Sequence, residues 1–150
     1  MMPIKFLQRI CAAFTVLVIA SCATVDKPIP LPTGHWEMTS SSFIDIGRMP
    51  GLPRATLKFD DGRVSAFGGC NTANAEVRSV DGRMQVGMLA TTRRACPEPA
   101  GAFESRLFKL LRDQPYFRID DGLLILAAGE HSARFRRVGE KSPAAGKPPA

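Results

Sequence analysis

The stretch that decides the fold begins A-F-G-G-C-N-T-A-N at residues 66–74 and ends L-A-T-T-R-R-A-C-P at residues 89–97. A glycine pair in a strand is typical of a bulge or of a corner at which the chain turns sharply. The first half therefore predicts a corner at Gly68 and Gly69, with an anion-binding nest of backbone N–H groups as the alternative. Asn71 is expected to hydrogen-bond to the backbone in this turn, a role that its side chain suits.

Three Asp-Gly pairs divide the rest of the folded segment into hairpins. They are Asp61-Gly62, Asp81-Gly82 and Asp121-Gly122, and each lies between apolar-rich segments. Asp-Gly tolerates the positive φ angles of a type I′ turn, whose twist matches the strands that it joins. Apolar and polar residues alternate on both sides of the first pair, at 56–59 and 63–66. This alternation predicts antiparallel strands with one buried face.

A single helix is predicted among the strands. Its apolar residues recur at the spacing of one helical face: Phe103, Leu107, Leu110 and Leu111. Pro99 precedes this segment and Pro115 ends it. Further strands are expected around Trp36 and Phe135, with both side chains in the core. The pattern predicts a mainly β fold, a small antiparallel sheet curled or closed into a barrel of about seven strands, with the helix over an opening or an edge.

The N-terminal residues predict a lipoprotein signal peptide. Lys5 and Arg9 precede an apolar run at 10–20, which is shorter than the roughly 20 residues of a spanning helix. The run ends in I-A-S-C at residues 19–22, which resembles the site where bacterial enzymes acylate a cysteine, here Cys22, and cut before it. An ordinary signal peptide or an uncleaved anchor is the alternative. Ala23 favours the outer membrane, by analogy with lipoprotein sorting in Gram-negative bacteria.

These patterns divide the chain into four parts. Residues 1–21 are the signal peptide, and residues 22–33 are the lipidated cysteine and a proline-rich, semi-rigid tether. Residues 34–138 form the folded domain. Residues 139–150 have no large apolar side chain and are expected to be disordered.

The charge of the chain is mildly basic. Loss of residues 1–21 would lower the formal net charge from +6 by two, because Lys5 and Arg9 would be removed with no acidic residue. A mildly basic envelope protein favours anionic partners such as lipid phosphates. No run of like charge reaches the length that is typical of a nucleic-acid-binding tail, so we expect no nucleic-acid partner.

After signal removal and lipidation of Cys22, two cysteines without lipid would remain in the mature chain, Cys70 and Cys96. An even pair in an oxidising compartment predicts a structural disulfide. One alternative is a redox pair that performs thiol exchange beside the positive charges of Arg93 and Arg94. Free, inert thiols are the other. His35 and His131 lack the paired spacing of zinc ligands, so no metal site and no cofactor are expected.

The loop before the second cysteine is the candidate ligand site. Arginine makes bidentate bonds to phosphate and carboxylate, so the candidate anion-binding residues are Arg93, Arg94, Gly68 and Gly69. A solvated loop is the alternative. No serine has the context of a nucleophile and each histidine stands alone, so no catalytic residue is predicted.

Two further groups of charges receive structural interpretations. Glu104 is interpreted as a first-turn charge that faces the helix dipole, with an acid catalyst as the alternative. Arg134, Arg136 and Arg137 make the last strand basic. We interpret them first as charges that guard a sheet edge, and second as a contact for anionic lipid.

Taken together, several of these residues resemble the META domain, the family of HslJ-like lipoproteins. The resemblance covers residues 34–138 and rests on Trp36, on F-G-G-C-N at 67–71, on T-T-R-R-A-C-P at 91–97, and on Glu104 with Leu107. Ala75 and Val77 depart from it, since the family usually has glycine and tyrosine there. The resemblance implies a small β domain of the bacterial envelope, associated with heat shock and stress tolerance and without an established catalytic activity.

Three functions follow as hypotheses. The first is a monomeric, outer-membrane-anchored lipoprotein that faces the periplasm and has a non-catalytic binding or stabilising role in envelope stress tolerance. Its partners would be the membrane, through the lipid on Cys22, and an envelope protein or anionic lipid. The second is an envelope inhibitor or chaperone-like binder of a secreted protein. The third is a thiol-exchange enzyme that uses Cys70 and Cys96.

Overall fold

The computed structural model describes residues 29–45 and 51–139. Within these ranges it contains nine strands and one helix. They are β1 (Gly34–Ser41), β2 (Thr56–Asp60), β3 (Arg63–Phe67), β4 (Thr72–Val80), β5 (Arg83–Val86), β6 (Ala90–Thr91), α1 (Ala100–Arg112), β7 (Tyr116–Asp120), β8 (Leu123–Ala128) and β9 (His131–Arg137). The predicted signal peptide, Cys22 and residues 140–150 lie outside the described residues.

Eight of the strands close into an antiparallel barrel. Their order is β3-β2-β1-β9-β8-β7-β5-β4, and β4 pairs back onto β3. The short β6 pairs with β4 outside this ring. The predicted mainly β fold with one helix is confirmed. The strand count exceeds the expected seven partly because β6, with two residues, is too short to carry an alternating pattern.

The three Asp-Gly turns lie at the same end of the barrel. Both residues of each turn have positive φ, from 44° to 50° at the aspartates and from 70° to 74° at the glycines, which confirms the predicted turn chemistry. Because strand directions alternate, the start of β1 and the end of β9 lie at this end too. We call it the turn end. The opposite end, which holds the corner between β3 and β4 and the connection from β5 to β7, is the disulfide end.

The helix α1 supplies one side of the hydrophobic core. Phe103, Leu107, Leu110 and Leu111 are buried together with strand residues such as Trp36 and Phe135, as predicted. Since α1 connects strands at the disulfide end, its apolar face covers that opening of the barrel. In the described part of the chain, no helix has the length and apolarity needed to cross a membrane.

Residues 29–33 cover the turn end. Thr33 O accepts hydrogen bonds from Trp36 Nε1 (3.0 Å) and from Arg137 Nη2 (3.1 Å), next to β1 and β9. Leu31 packs against the core, and Ile29 reaches Gly82 on the opposite side of the barrel. The last five residues of the expected tether are therefore part of the folded domain.

The basic strand β9 is not a sheet edge. It lies between β1 and β8 in the closed ring. The interpretation of Arg134, Arg136 and Arg137 as edge guards is therefore wrong, because an alternating pattern reports which face is buried but not which strands are neighbours. Arg137 instead binds Thr33, and its guanidinium lies 5.8 Å from the centre of the Trp36 ring.

The side chain of Gln114 supplies hydrogen bonds to β5 where β5 and β7 share only one residue pair. Arg83 and Tyr116 form the single residue pair between β5 and β7. Beyond this pair, Val86 N–H donates to Gln114 Oε1 and Gln114 Nε2 donates to Val86 O, both at 2.9 Å. The Gln114 amide therefore takes the place of a strand backbone along β5.

Replacement of Gln114 by methionine is expected to lower the free energy of unfolding by about 2 kcal/mol. Methionine keeps the length of the side chain but leaves Val86 N–H and O without these partners, and each net hydrogen bond contributes about 1 kcal/mol. Urea denaturation measures the change. Gln85 lies exposed on the same strand, so Gln85→Met is the control and should change stability by less than about 0.5 kcal/mol. Equal changes in the two variants would contradict the role assigned to Gln114.

Candidate functional site

A disulfide joins the two halves of the stretch that decides the fold. Cys70 lies in the corner between β3 and β4, and Cys96 lies before α1. Their sulfurs are bonded and their Cα atoms are 6.0 Å apart. The predicted pairing of Cys70 with Cys96 is therefore present in the structure, and it ties the corner to the segment that leads into the helix.

Asn71 is a buried hydrogen-bonding hub beside this disulfide. Its Oδ1 accepts from Arg94 N–H (2.8 Å) and from Thr92 Oγ1 (2.9 Å). Its Nδ2 donates to Arg94 O (3.2 Å) and to Glu104 Oε1 (2.8 Å), and lies 3.0 Å from Cys96 Sγ. Asn71 thus bonds to backbone, as expected, but at Arg94 across the disulfide rather than within its own turn.

Glu104 is a buried acidic residue that faces Asn71. It is 7% exposed, its Oε1 accepts from Asn71 Nδ2, and its Oε2 accepts from the Asn71 N–H. The interpretation as a first-turn charge is wrong, because α1 begins at Ala100 and has no acidic residue in its first turn. The sequence held a signal for burial, since Glu104 precedes Leu107 by three residues and Leu111 by seven, on the apolar face.

The glycine pair lets the corner approach the helix. A Cβ added to Gly68 would lie 2.6 Å from Glu104 Cγ, so a larger residue at 68 would push α1 away. The Gly68 N–H donates to Asn71 O (3.2 Å), and Gly69 turns the chain with φ of +100°. Because Gly68 has used its N–H within the corner, the pair fits the corner interpretation better than the anion nest.

A groove of about 710 Å³ lies beside the disulfide. Its apolar lining includes Leu52 and Pro53 before β2, Phe67 at the end of β3, and Pro97 and Pro99 before α1. Two charged residues, Arg94 and Glu98, also line it. Gly69 and Cys70, in the corner between β3 and β4, also line the groove.

The two charges at the groove differ in their partners. Glu98 Oε2 accepts from the Ala102 N–H (3.3 Å), so this carboxylate lies at the start of α1, where a helix favours negative charge. The Arg94 side chain is exposed, and within residues 29–45 and 51–139 it makes no ion pair or hydrogen bond. Among the described residues, the groove therefore presents one guanidinium without a partner and one carboxylate that is held by a backbone N–H.

The structure brings together half of the candidate anion-binding residues. Arg94 and Gly69 line the groove, whereas Arg93 and Gly68 do not. Trp36, the other residue singled out from the sequence, is a core residue near the turn end, where Arg137 and Thr33 contact it.

Three possible metal ligands lie together at the corner. The sulfurs of Cys70 and Cys96 and a carboxylate oxygen of Glu104 are within 4.8 Å of one another. Sequence reasoning missed this group because it interpreted Glu104 as a surface charge. In the disulfide form the two sulfurs are bonded to each other, so the group offers a metal only a carboxylate that already accepts two hydrogen bonds.

Solved structures with the same fold have low sequence identity to this chain. A protein from Burkholderia xenovorans, determined by NMR, is 20% identical with a TM-score of 0.56, and the match covers 77% of this chain and 97% of that one. A second protein determined by NMR is 17% identical with a TM-score of 0.60, covering 71% and 90%. A crystal structure of a DUF4847 family protein from Bacteroides vulgatus is 11% identical with a TM-score of 0.51, covering 73% and 95%.

The family assignment rests on the sequence. No curated protein matches the chain. Residues 30–141, however, match the sequence profile of the META domain. The match includes Leu31 and Pro32, which the structure places within the barrel. This chain belongs to the META domain family.

Proposed function

We propose that this protein is a non-catalytic binding module of the bacterial envelope that acts in stress tolerance. In this proposal, lipid on Cys22 anchors it to the outer membrane, and the domain faces the periplasm. The groove beside Cys70 binds an anionic amphiphile, a molecule with an acyl chain and a carboxylate or phosphate group. The observation that carries the proposal is a groove of mainly apolar lining beside Arg94, whose side chain has no ion-pair or hydrogen-bond partner among the described residues.

The lining of the groove suits the two parts of such a ligand. Leu52, Pro53 and Phe67 offer apolar surface, on which each buried methylene of an acyl chain contributes up to about 0.8 kcal/mol. Arg94 can bind a carboxylate or phosphate through two parallel hydrogen bonds. The volume of about 710 Å³ also lies in the range of small-molecule sites, roughly 300–1,000 Å³.

The backbone that carries Arg94 is fixed before any ligand binds. Asn71 holds both the N–H and the O of Arg94, and the disulfide holds the chain two residues later at Cys96. A ligand would therefore have to order the Arg94 side chain but not its backbone. A site ordered in advance loses less conformational entropy on binding, which raises affinity.

The position of the disulfide favours a structural role over thiol exchange. Its cysteines have a sequence separation of 26, unlike the Cys-x-x-Cys spacing of redox pairs. The bond ties the corner at Cys70 to the segment before α1, next to the hydrogen bonds by which Asn71 holds the Arg94 backbone. We therefore assign the disulfide a structural role in holding the groove.

Replacement of Arg94 by glutamate is expected to weaken the binding of dodecanoate at least about tenfold. The change removes a charge-assisted hydrogen bond, which contributes about 1.5–3 kcal/mol, and places a negative charge at the groove. Isothermal titration calorimetry with dodecanoate measures the affinity.

Arg93 supplies the matched control. Arg93→Glu makes the same change of charge one residue away but outside the groove, so it should weaken binding less than about threefold through long-range charge alone. Dodecyltrimethylammonium, with the same chain and the opposite charge, should bind more weakly than dodecanoate. The proposal fails if the wild-type protein does not bind dodecanoate or if the two variants lose affinity equally.

A further inference from the structure

Exposed apolar side chains are concentrated at the turn end of the barrel. Among the described residues, six large apolar side chains are exposed, and four of them lie at this end: Ile29, Val80, Ile119 and Val138. Single apolar residues scattered over a surface are ordinary, but a group at one end of a small domain marks an interaction surface.

The strand register places these four residues around the turns. Val80 directly precedes Asp81-Gly82, and Ile119 lies at the end of β7, just before the turn at Asp121-Gly122. The side chain of Ile29 lies beside Gly82, with its Cδ1 3.9 Å from where a Cβ on that residue would be. On β7, the Phe117 N–H donates to Gly82 O (3.1 Å), which places Ile119 near the same turn. Ile29, Val80 and Ile119 therefore flank the same turn. Val138 lies across the barrel, where its N–H donates to His35 O (2.8 Å).

Charges of both signs lie at this end. Asp60 pairs with Lys58, and Asp120 pairs with Arg118, each on its own strand. The turn aspartates at 61, 81 and 121 make no ion pair among the described residues. The apolar group is thus set among charges of both signs.

The route of the chain identifies what lies nearest to this end. Ile29 is seven residues after Cys22, and an extended chain spans at most about 3.6 Å per residue. A lipid on Cys22 would therefore hold Ile29 within about 25 Å of the membrane surface. Residues 29–33 are fixed across the turn end by Leu31 and by the contacts of Thr33, so the chain approaches the domain from that side.

We infer that the turn end rests on the lipid bilayer. Ile29, Val80, Ile119 and Val138 insert among the headgroups, and the groove at the disulfide end points away from the membrane into the periplasm. This orientation rests on the lipid anchor of the proposed function, and it names the surface that the anchor brings to the membrane. It does not depend on what the groove binds.

Tryptophan fluorescence can measure this contact. The acylated mature chain, which begins at Cys22, is placed on vesicles of phosphatidylethanolamine and phosphatidylglycerol, some of which carry brominated acyl chains that quench nearby tryptophan. The emission of Ile119→Trp, corrected for the single native tryptophan, should be quenched at least about threefold more than that of Met88→Trp. Met88 is a matched control because it is apolar and 94% exposed but lies after β5, away from the turns. Val80→Trp serves as a second probe if Ile119→Trp fails to fold.

The outcomes separate this inference from the proposed function. Equal quenching at Ile119→Trp and Met88→Trp would overturn the orientation. Absence of quenching together with a concentration-dependent dimer in sedimentation would also overturn it, and would assign the turn end to a second copy. Mass spectrometry of the N-terminus reports on the anchor: an unacylated Cys22 removes the anchor and the orientation together, whereas an acylated Cys22 with an unquenched Ile119→Trp removes only the orientation.

Discussion

Replacement of Asn71 by alanine is expected to lower the free energy of unfolding by about 3–4 kcal/mol. The side chain makes hydrogen bonds to Arg94, Thr92 and Glu104, and alanine would leave the Arg94 backbone and a buried carboxylate oxygen without these partners. Each buried polar group left unpaired costs about 1–3 kcal/mol, with more for a charged one. Urea denaturation followed by far-UV circular dichroism measures the loss.

The same strand offers a control for this substitution. Asn74 is an exposed asparagine on β4, three residues later, and Asn74→Ala should change stability by less than about 0.5 kcal/mol. A double-mutant cycle with Glu104→Gln isolates the contact, and the coupling between the two sites should be about 1 kcal/mol or more. A loss below about 1 kcal/mol for Asn71→Ala would show that the hub does not hold the corner.

Removal of the disulfide by the double substitution Cys70→Ser and Cys96→Ser is expected to destabilise the domain by about 3.5 kcal/mol. The bond closes a loop with a sequence separation of 26, and the chain-entropy model assigns that closure about this value. For a domain of roughly 100 residues, the thermal midpoint should fall by about 15 °C or more. A thermal melt of the wild-type chain with reductant should show the same shift.

Two further measurements test whether loss of the disulfide bond itself causes the destabilisation. Reductant should leave the melt of the double-serine variant unchanged, because that variant has no bond at this site to break. Dodecanoate affinity should also fall in the variant, since Cys96 no longer fixes the segment that carries Arg94. If reductant leaves the wild-type melt unchanged, the bond does not stabilise the domain.

Local patterns in the sequence were sufficient for much of the fold. The Asp-Gly pairs predicted three turns, because the required positive φ angles select these two residue types. The leucine spacing after residue 103 predicted the helix, because a helical face repeats every three to four residues. Both features depend on residues close together in the chain.

The missed features depend on contacts between distant segments. Gln114 replaces a strand backbone at Val86, 28 residues away, and no local pattern distinguishes it from a solvated glutamine. The closure of the barrel, which removed β9 from the edge, is likewise a property of neighbouring strands.

The candidate site could be predicted only in part for the same reason. The spacing of Cys70 and Cys96 and the charges of Arg93 and Arg94 were visible in the sequence, but which arginine lines the groove was not. The position of Arg94 at the groove depends on Asn71, which hydrogen-bonds to both the N–H and the O of the Arg94 backbone. The burial of Glu104 could have been inferred from its spacing to Leu107 and Leu111, but its contacts with Asn71 and Gly68, 33 and 36 residues earlier in the chain, could not.

The cover formed by residues 29–33 makes the barrel mechanically sensitive to the chain that precedes it. A force applied just before Ile29 acts directly on the folded domain. Leu31 and Pro32 are packed in the barrel, and Thr33 O accepts a hydrogen bond from Arg137. The load reaches the start of β1 and the Trp36 ring as soon as those contacts give way. Tension between the domain and whatever holds its N-terminus would therefore open the hydrophobic core from the turn end.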